Sequence, residues 1–194
     1  MTSIADVLEK QYTAGEYLEL EKTSETKHEY YYGKLIPMAG EKKKANRIAN
    51  NINLKISPAL IEKGLEVYLH DVKAAVKPDH IYRYPDYMVE LPEDEDAYLV
   101  FEPILAVEVA SEDSMTRDRG RKLDEYTHLP SMQYYLIVYQ EEMLVEFYVR
   151  DGQKWTLEVF SQAADIIKLP AFGLQITLEA IYAGVKLEAD DKAG

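Results

Sequence analysis

Apolar positions along the chain follow two periods, and the switches between them mark the elements. From Glu41 to Gly64 the residues Ile48, Ile52, Ile56 and Leu60 recur every four positions, the stripe of a long helix. Ser57-Pro58 reads as a restart inside it, with Pro58 at a first helical position, and Gly64 reads as its end. Ile4 to Lys22 predicts an earlier helix in one or two pieces. Between the two, Tyr30-Tyr31-Tyr32, Gly33-Lys34 and Leu35-Ile36 read as a tight hairpin. Leu65 to Val76 reads as one strand. Pro85 then suits the first residue of another, which carries Asp86 into Tyr87-Met88-Val89.

Leu99 to Ala110 is a longer apolar run. Alternation places Leu105, Val107 and Val109 on one face and Ala106, Glu108 and Ala110 on the other. Such a run suits a strand covered on both sides. Glu108 is its exception, because a buried carboxylate must be paired, metal-bound or beside a solvated cleft. The acidic PEDEDA segment before this run reads as a solvated turn.

Ser111 to Ser114 supplies helix N-cap residues, and a helix is predicted from Met115 to His128. Leu123, Tyr126 and Leu129 make its packed stripe, while Asp118, Lys122 and Tyr126 are spaced by four along a neighbouring line. QYYLIVYQ and MLVEFYVRDG follow as strands. Asp151-Gly152 signals a hairpin into KWTLEVF, where Trp155 is a sheet-packing anchor. Short apolar pieces fill Ile166 to Tyr182 and end in a small helix near Leu178 to Tyr182. The expected organisation is a single domain over 1–185 with a polar tail at 186–194. Its class is α/β (α+β), a mixed β-sheet flanked by helices with extra antiparallel hairpins.

Composition narrows the chemistry. Hydrophobic residues make up 47% of the 194, ordinary for a globular domain, and the absence of cysteine excludes disulfides and thiolate metal sites. No apolar run reaches the roughly 18 residues of a bilayer span. The N-terminus lacks a secretory pattern, so a cytoplasmic location is expected. The net charge of -13 opposes long-range attraction of a polyanion. Lys42, Lys43, Lys44 and Arg47 nevertheless crowd the start of the long helix, where cations are disfavoured unless something negative is near. The 16 tyrosines read as aromatic packing on sheet faces. The four histidines show no zinc-helix spacing, and there is no Gly-rich phosphate loop.

Asp86 after a proline, an acid at Glu108 in the next strand and a lysine nearby resemble the PD-(D/E)xK nuclease superfamily. More closely, YPDYMV, ILAVEVASEDS, DRGRKLDEY and LPSMQYYLIV are similar to the Uma family of restriction-endonuclease-like proteins. KHEYYYGKLIPMAG, ANRIANNI and LPAFGLQITLEAIY resemble it too, so the likeness runs roughly from Tyr12 to Tyr182. It implies a restriction-endonuclease-like core and a metal-dependent endonuclease-like phosphodiesterase acting on DNA. Asp86, Glu108 and Lys122 are the implied catalytic residues. Asp86 and Glu108 would bind Mg2+ (or Mn2+), joined by the Val109 carbonyl and by Glu29 as an extra acid. A homodimer and a DNA partner are implied, and no membrane partner. Two departures stand out. Ala110 occupies the superfamily's lysine position, two residues after the acid, so Lys122 is the expected replacement, ahead of Arg119 and Arg121. Ala45 stands where family members often carry a histidine. The alternatives are a catalytically inactive nuclease-fold binding domain, hydrolysis of a smaller phosphate ester, and a purely structural ion cluster of Asp86, Glu108 and Lys122.

Overall fold

Thr13 begins the first helix by a reciprocal cap. Its hydroxyl accepts from the Glu16 amide, and the Glu16 carboxylate accepts from the Thr13 amide. Helix α1 therefore spans Ala14–Glu21, within the expected Ile4 to Lys22, whose first residues lie outside the described ones. The structure, a computed structural model, describes residues 10–38, 40, 42–92, 96–111 and 118–187. The segment before Lys10, the middle of PEDEDA, the cap residues Glu112 to Ser114 and most of the polar tail lie outside the described residues.

Strands β1 (His28–Tyr31) and β2 (Lys34–Pro37) form the expected hairpin. Its turn residues, Tyr32 at φ 45° and Gly33 at φ 87°, both take the left-handed conformation that a two-residue turn of this hand demands. Helix α2 (Lys43–Glu62) runs unbroken through Pro58. The expected restart at Ser57-Pro58 is thus corrected. The missing proline amide costs one helical bond, but burial of Ile48, Ile52, Ile56 and Leu60 on one stripe holds the helix together.

Two expected strands are each divided. Leu65 to Val76 is broken by His70 at φ 51° into β3 (Glu66–Leu69) and β4 (Lys73–Lys77), which join different sheets. After β5 (Ile81–Arg83) and β6 (Tyr87–Glu90), the run from Leu99 splits into β7 (Leu99–Val100) and β8 (Pro103–Ala110), again in different sheets. Alternation along each run was legible; the transfer between layers was not, because both layers demand the same apolar pattern.

The predicted helix from Met115 is described from Asp118 onward, as a π turn (Asp118–Lys122) followed by α3 (Leu123–Thr127). Strands β9 (Tyr134–Tyr139), β10 (Val145–Asp151) and β11 (Lys154–Phe160) come next. β12 (Ile166–Leu169), a 3-10 turn at Pro170–Phe172, β13 (Leu174–Thr177) and α4 (Leu178–Ile181) complete the described chain.

The larger sheet runs β11-β10-β9-β8-β6-β3, with β8 and β9 parallel and the other neighbours antiparallel. The smaller runs β2-β1-β5-β4-β7. One face of the larger sheet carries Leu105, Val107 and Val109 against Ile48, Ile52 and Leu178 of α2 and α4. Its other face, with Met88, Ala106, Ala110 and Ile137, packs on Tyr126 and on Ala74, Val76 and Ile81 of the smaller sheet. Tyr17 of α1 closes the far side of that sheet, stacked on Tyr30 at 5.0 Å. Mixed β-layers flanked by helices are therefore the fold, as expected. Glu108 shares the face of Ala106 and Ala110, between the two sheets. Among the described residues no helix is long and apolar enough to cross a membrane.

Two positions on α2 test the packing. Ile48 is 0% exposed and Leu54 70% exposed. Ile48→Ala is expected to cost about 2–5 kcal/mol in urea unfolding, against less than about 0.5 kcal/mol for Leu54→Ala.

Candidate active site

The register of β6 on β8 sets the first two carboxylates. Tyr87 lies opposite Val107, so the same register carried one step further brings Asp86 beside Glu108 and Pro85 beside Val109. The Asp86 amide still reaches the Val107 carbonyl at 3.1 Å. Proline has no amide to continue the ladder. The Val109 amide turns instead to the Asp86 side chain, donating to Oδ2 at 2.6 Å. Asp86 Oδ1 lies 3.7 Å from His70 Nδ1, on the left-handed turn between β3 and β4. Asp86 is half-buried at the rim and Glu108 is buried.

Behind this rim is a closed ionic cluster. The Lys122 ammonium donates to Glu108 Oε2 at 2.8 Å and lies 3.0 Å from Glu29 Oε1. The Tyr126 hydroxyl donates to Glu108 Oε1 at 3.2 Å. Arg83 donates through Nη1 to Glu29 at 3.0 Å, and through Nε and Nη2 to both oxygens of Glu125 at 2.7 and 2.6 Å. Arg83 is 0% exposed and the other charged members are also buried, so each charge depends on these contacts. Burial works against the Arg83 charge, yet the Glu125 hydrogen bonds and the Glu29 and Glu125 charges hold its pKa above the ordinary value. Burial, then the Glu108 charge, pushes the Tyr126 phenol well above its ordinary value, so it remains a donor.

A second buried acid stands on the same face. Glu108 pairs across the sheet with Ile137, and Ile137 with Glu146. Glu146 accepts from the hydroxyls of Tyr139 and Tyr148, each at 2.9 Å, and from Arg119 at 2.7 and 3.2 Å. Burial raises the Tyr148 phenol to about 12. Arg119 is half exposed, and Arg121 on the same turn lies 4.4 Å from the Tyr31 ring centre.

Of the residues expected from sequence, Glu29, Glu108 and Lys122 come together. Asp86 lies on the adjoining strand, tied to them through the Val109 backbone. Among the described residues, no group of three or more His, Asp or Glu side chains is arranged to hold a metal. Asp71 pairs with Lys27, and Lys44 of the basic cluster on α2 pairs with Glu141. Arg83, Glu125 and Glu146 escaped the sequence reading. Arg83 had a signal, a lone cation between the aromatic positions of IYRYPD, which a buried strand must match with carboxylates. Glu125 follows Lys122 by three, which sets the two on neighbouring helical lines.

Residues 14–179 match the Uma2 family, described as "Putative restriction endonuclease". Two proteins of Synechocystis sp. (strain ATCC 27184 / PCC 6803 / Kazusa) are similar, sll1609 and slr1290, each named only as uncharacterized. The first is 31% identical over 160 residues, covering 79% of this chain and 90% of the relative. The second is 30% identical over 172 residues, covering 88% and 90%. A crystal structure named as a putative nuclease belonging to DUF820, from Anabaena variabilis ATCC 29413, superposes with a TM-score of 0.69 at 23% identity. That match covers 90% of this chain and 99% of the other, and it speaks for the fold.

Removal of Arg83 strands two buried carboxylates. Arg83→Met is expected to cost about 3–5 kcal/mol by urea unfolding, since an unpaired buried charge is worse than the missing pair. Alkaline pH gives a separate test. The native phenol of Tyr126 keeps its proton above the ordinary value of 10.0, while the unfolded chain releases it. Its contribution is therefore whole below pH 10 and lost progressively above it. The melting temperature is expected to fall as pH rises from about 10 to about 12, and less steeply in Tyr126→Phe.

Proposed function

Because the chain belongs to the Uma2 family, described as "Putative restriction endonuclease", we propose that it is a metal-dependent endonuclease-like phosphodiesterase acting on DNA. The observation that carries this reading is the position of Lys122. Ala110, two residues after Glu108, offers no charge, and the turn that follows β8 returns the Lys122 ammonium to within 2.8 Å of the same carboxylate.

Asp86 and Glu108 are the side chains that would hold Mg2+ or Mn2+, with the Val109 carbonyl as a third oxygen. The donor set suits such an ion: hard oxygens from adjoining strand positions, where Pro85 supplies no ladder amide opposite Val109. When bound, the ion supplies Lewis-acid polarisation of a phosphoryl oxygen and acidifies a bound water. Lys122 stabilises the negative charge that grows on the phosphate or the attacking hydroxide. Glu29 was expected as a ligand, but its two oxygens each lie 3.0 Å from a cation, Lys122 on one side and Arg83 on the other. In this reading Glu29 positions Lys122. Arg83 and Glu125 in turn fix Glu29. Arg119, paired with Glu146, and Arg121, beside the Tyr31 ring, are the other cations on the Lys122 turn of a chain with net charge -13.

A catalytically silent nuclease fold that binds a partner is the second reading. The 5% exposure of Lys122 and the acidic total charge favour it.

Plasmid cleavage with Mg2+ or Mn2+ separates the two. Asp86→Asn, Glu108→Gln and Lys122→Met are each expected to lose about 10²-fold or more in rate, and a chelator is expected to abolish cleavage. Equal cleavage by all four proteins would reveal a contaminant and defeat the proposal. A folded wild type that cuts nothing would favour the binding reading. Titration calorimetry with Mn2+ should show weakened binding in the Asp86 and Glu108 variants.

A further inference from the structure

Strand β11 ends the larger sheet, and among the described residues nothing pairs with its outer edge. Other sheet ends are blunted: β2 carries Lys34 and Pro37, β3 is four residues long and runs into a left-handed turn, and β7 has two residues. β11 has seven residues, with neither proline nor glycine, and leaves Leu157 49% and Val159 59% exposed. A long open edge with exposed apolar side chains is a template for another strand.

Its hydrogen-bonding parity is fixed by the hairpin. Gly152-Gln153 is a two-residue loop closed by Asp151 opposite Lys154. Lys154, Thr156, Glu158 and Phe160 therefore bond to β10. Trp155, Leu157 and Val159 turn their backbone N–H and C=O groups outward. Trp155 and Leu157 also line a groove of about 350 Å³ with Leu123, Thr127 and Tyr148.

We propose that this edge binds a second copy of the chain, with β11 pairing antiparallel to its own mate about a two-fold axis through Thr156. Charge selects that register. It sets Lys154 against the partner's Glu158 twice over, and brings Trp155 opposite the partner's Leu157 on the other face. An axis through Leu157 would place Lys154 against the partner's Phe160. An axis through Glu158 would oppose like carboxylates. The two larger sheets then become one continuous sheet. The proposal uses no part of the candidate active site and stands whether or not the chain cleaves DNA.

Sedimentation velocity across concentration tests it on the full chain. The mass is expected to rise from 22.3 kDa towards twice that value, with dissociation on the order of 1–10 µM because a single ribbon is smaller than a standard interface. Lys154→Glu and Glu158→Lys each create two like-charge oppositions and should weaken the dimer by about tenfold or more. The double variant Lys154→Glu/Glu158→Lys restores the pairs and should return the affinity of wild type. The amides of Trp155 and Leu157 should exchange slowly in the dimer and fast on dilution. Both side chains are exposed, so circular dichroism is expected to show every variant folded. A wild type that stays monomeric at about 100 µM overturns the proposal. So does a dimer indifferent to either reversal, or a double variant that stays as weak as the singles.

Discussion

A guanidinium with no access to solvent governs this molecule. Arg83 sits on β5 of the smaller sheet and is held by Glu29 of β1 and by Glu125 of α3. Glu29 passes the connection to Lys122, and Lys122 passes it to Glu108 on the larger sheet. The ionic chain is therefore the polar seam between two β-layers that otherwise meet through aliphatic side chains, methionine and tyrosine. A seam of charges is a poor way to gain stability, because desolvation roughly cancels the attraction. What it gives is definition: each side chain has one arrangement that leaves no charge unpaired.

That definition serves the rim where Asp86 stands. Pro85 ends the ladder between β6 and β8 at the level of Glu108, which releases the Val109 backbone to face Asp86. Alanines at 106 and 110 flank Glu108 on its own face and leave the acid room there. The π turn contributes the remaining group. Wider than an α turn, it gives Arg119 to Glu146 and Lys122 to Glu108, two acids separated across the sheet by Ile137. Such turns often mark functional positions in helices.

How much of this was legible depended on range. Period-two and period-four patterns gave α2, β6, β9, β10 and the Asp151-Gly152 hairpin, since those signals lie within a few residues. The same alternation gave Glu108 its face. The sequence could not say that Leu65 to Val76 and Leu99 to Ala110 each serve two sheets, because a strand changing layers keeps its apolar period and needs only one turn residue such as His70. Nor could it join Arg83 to Glu125, which lie 42 positions apart. Burial of Arg83 demands carboxylates, but which ones is settled by the packing of α3 on the smaller sheet. The resemblance supplied Lys122 and Glu29 as candidates; what it could not supply is their contact with each other.

The acidic charge of the whole chain bears less on the phosphodiester reading than its size suggests. At physiological ionic strength a charge is felt over roughly 8 Å, so most of the surface carboxylates do not act on a phosphate at the β8 rim. What acts there is local. The buried cluster holds three carboxylates against two cations, and Asp86 adds another carboxylate at the rim. Left alone, that excess would repel a phosphate and draw a cation. A divalent ion between Asp86 and Glu108 would cancel it, and the more exposed cations of that turn are Arg119, paired with Glu146, and Arg121, beside the Tyr31 ring. In the proposed reading, anion binding at this rim would therefore follow cation binding, and a nucleic-acid backbone would be held only once that first charge had arrived.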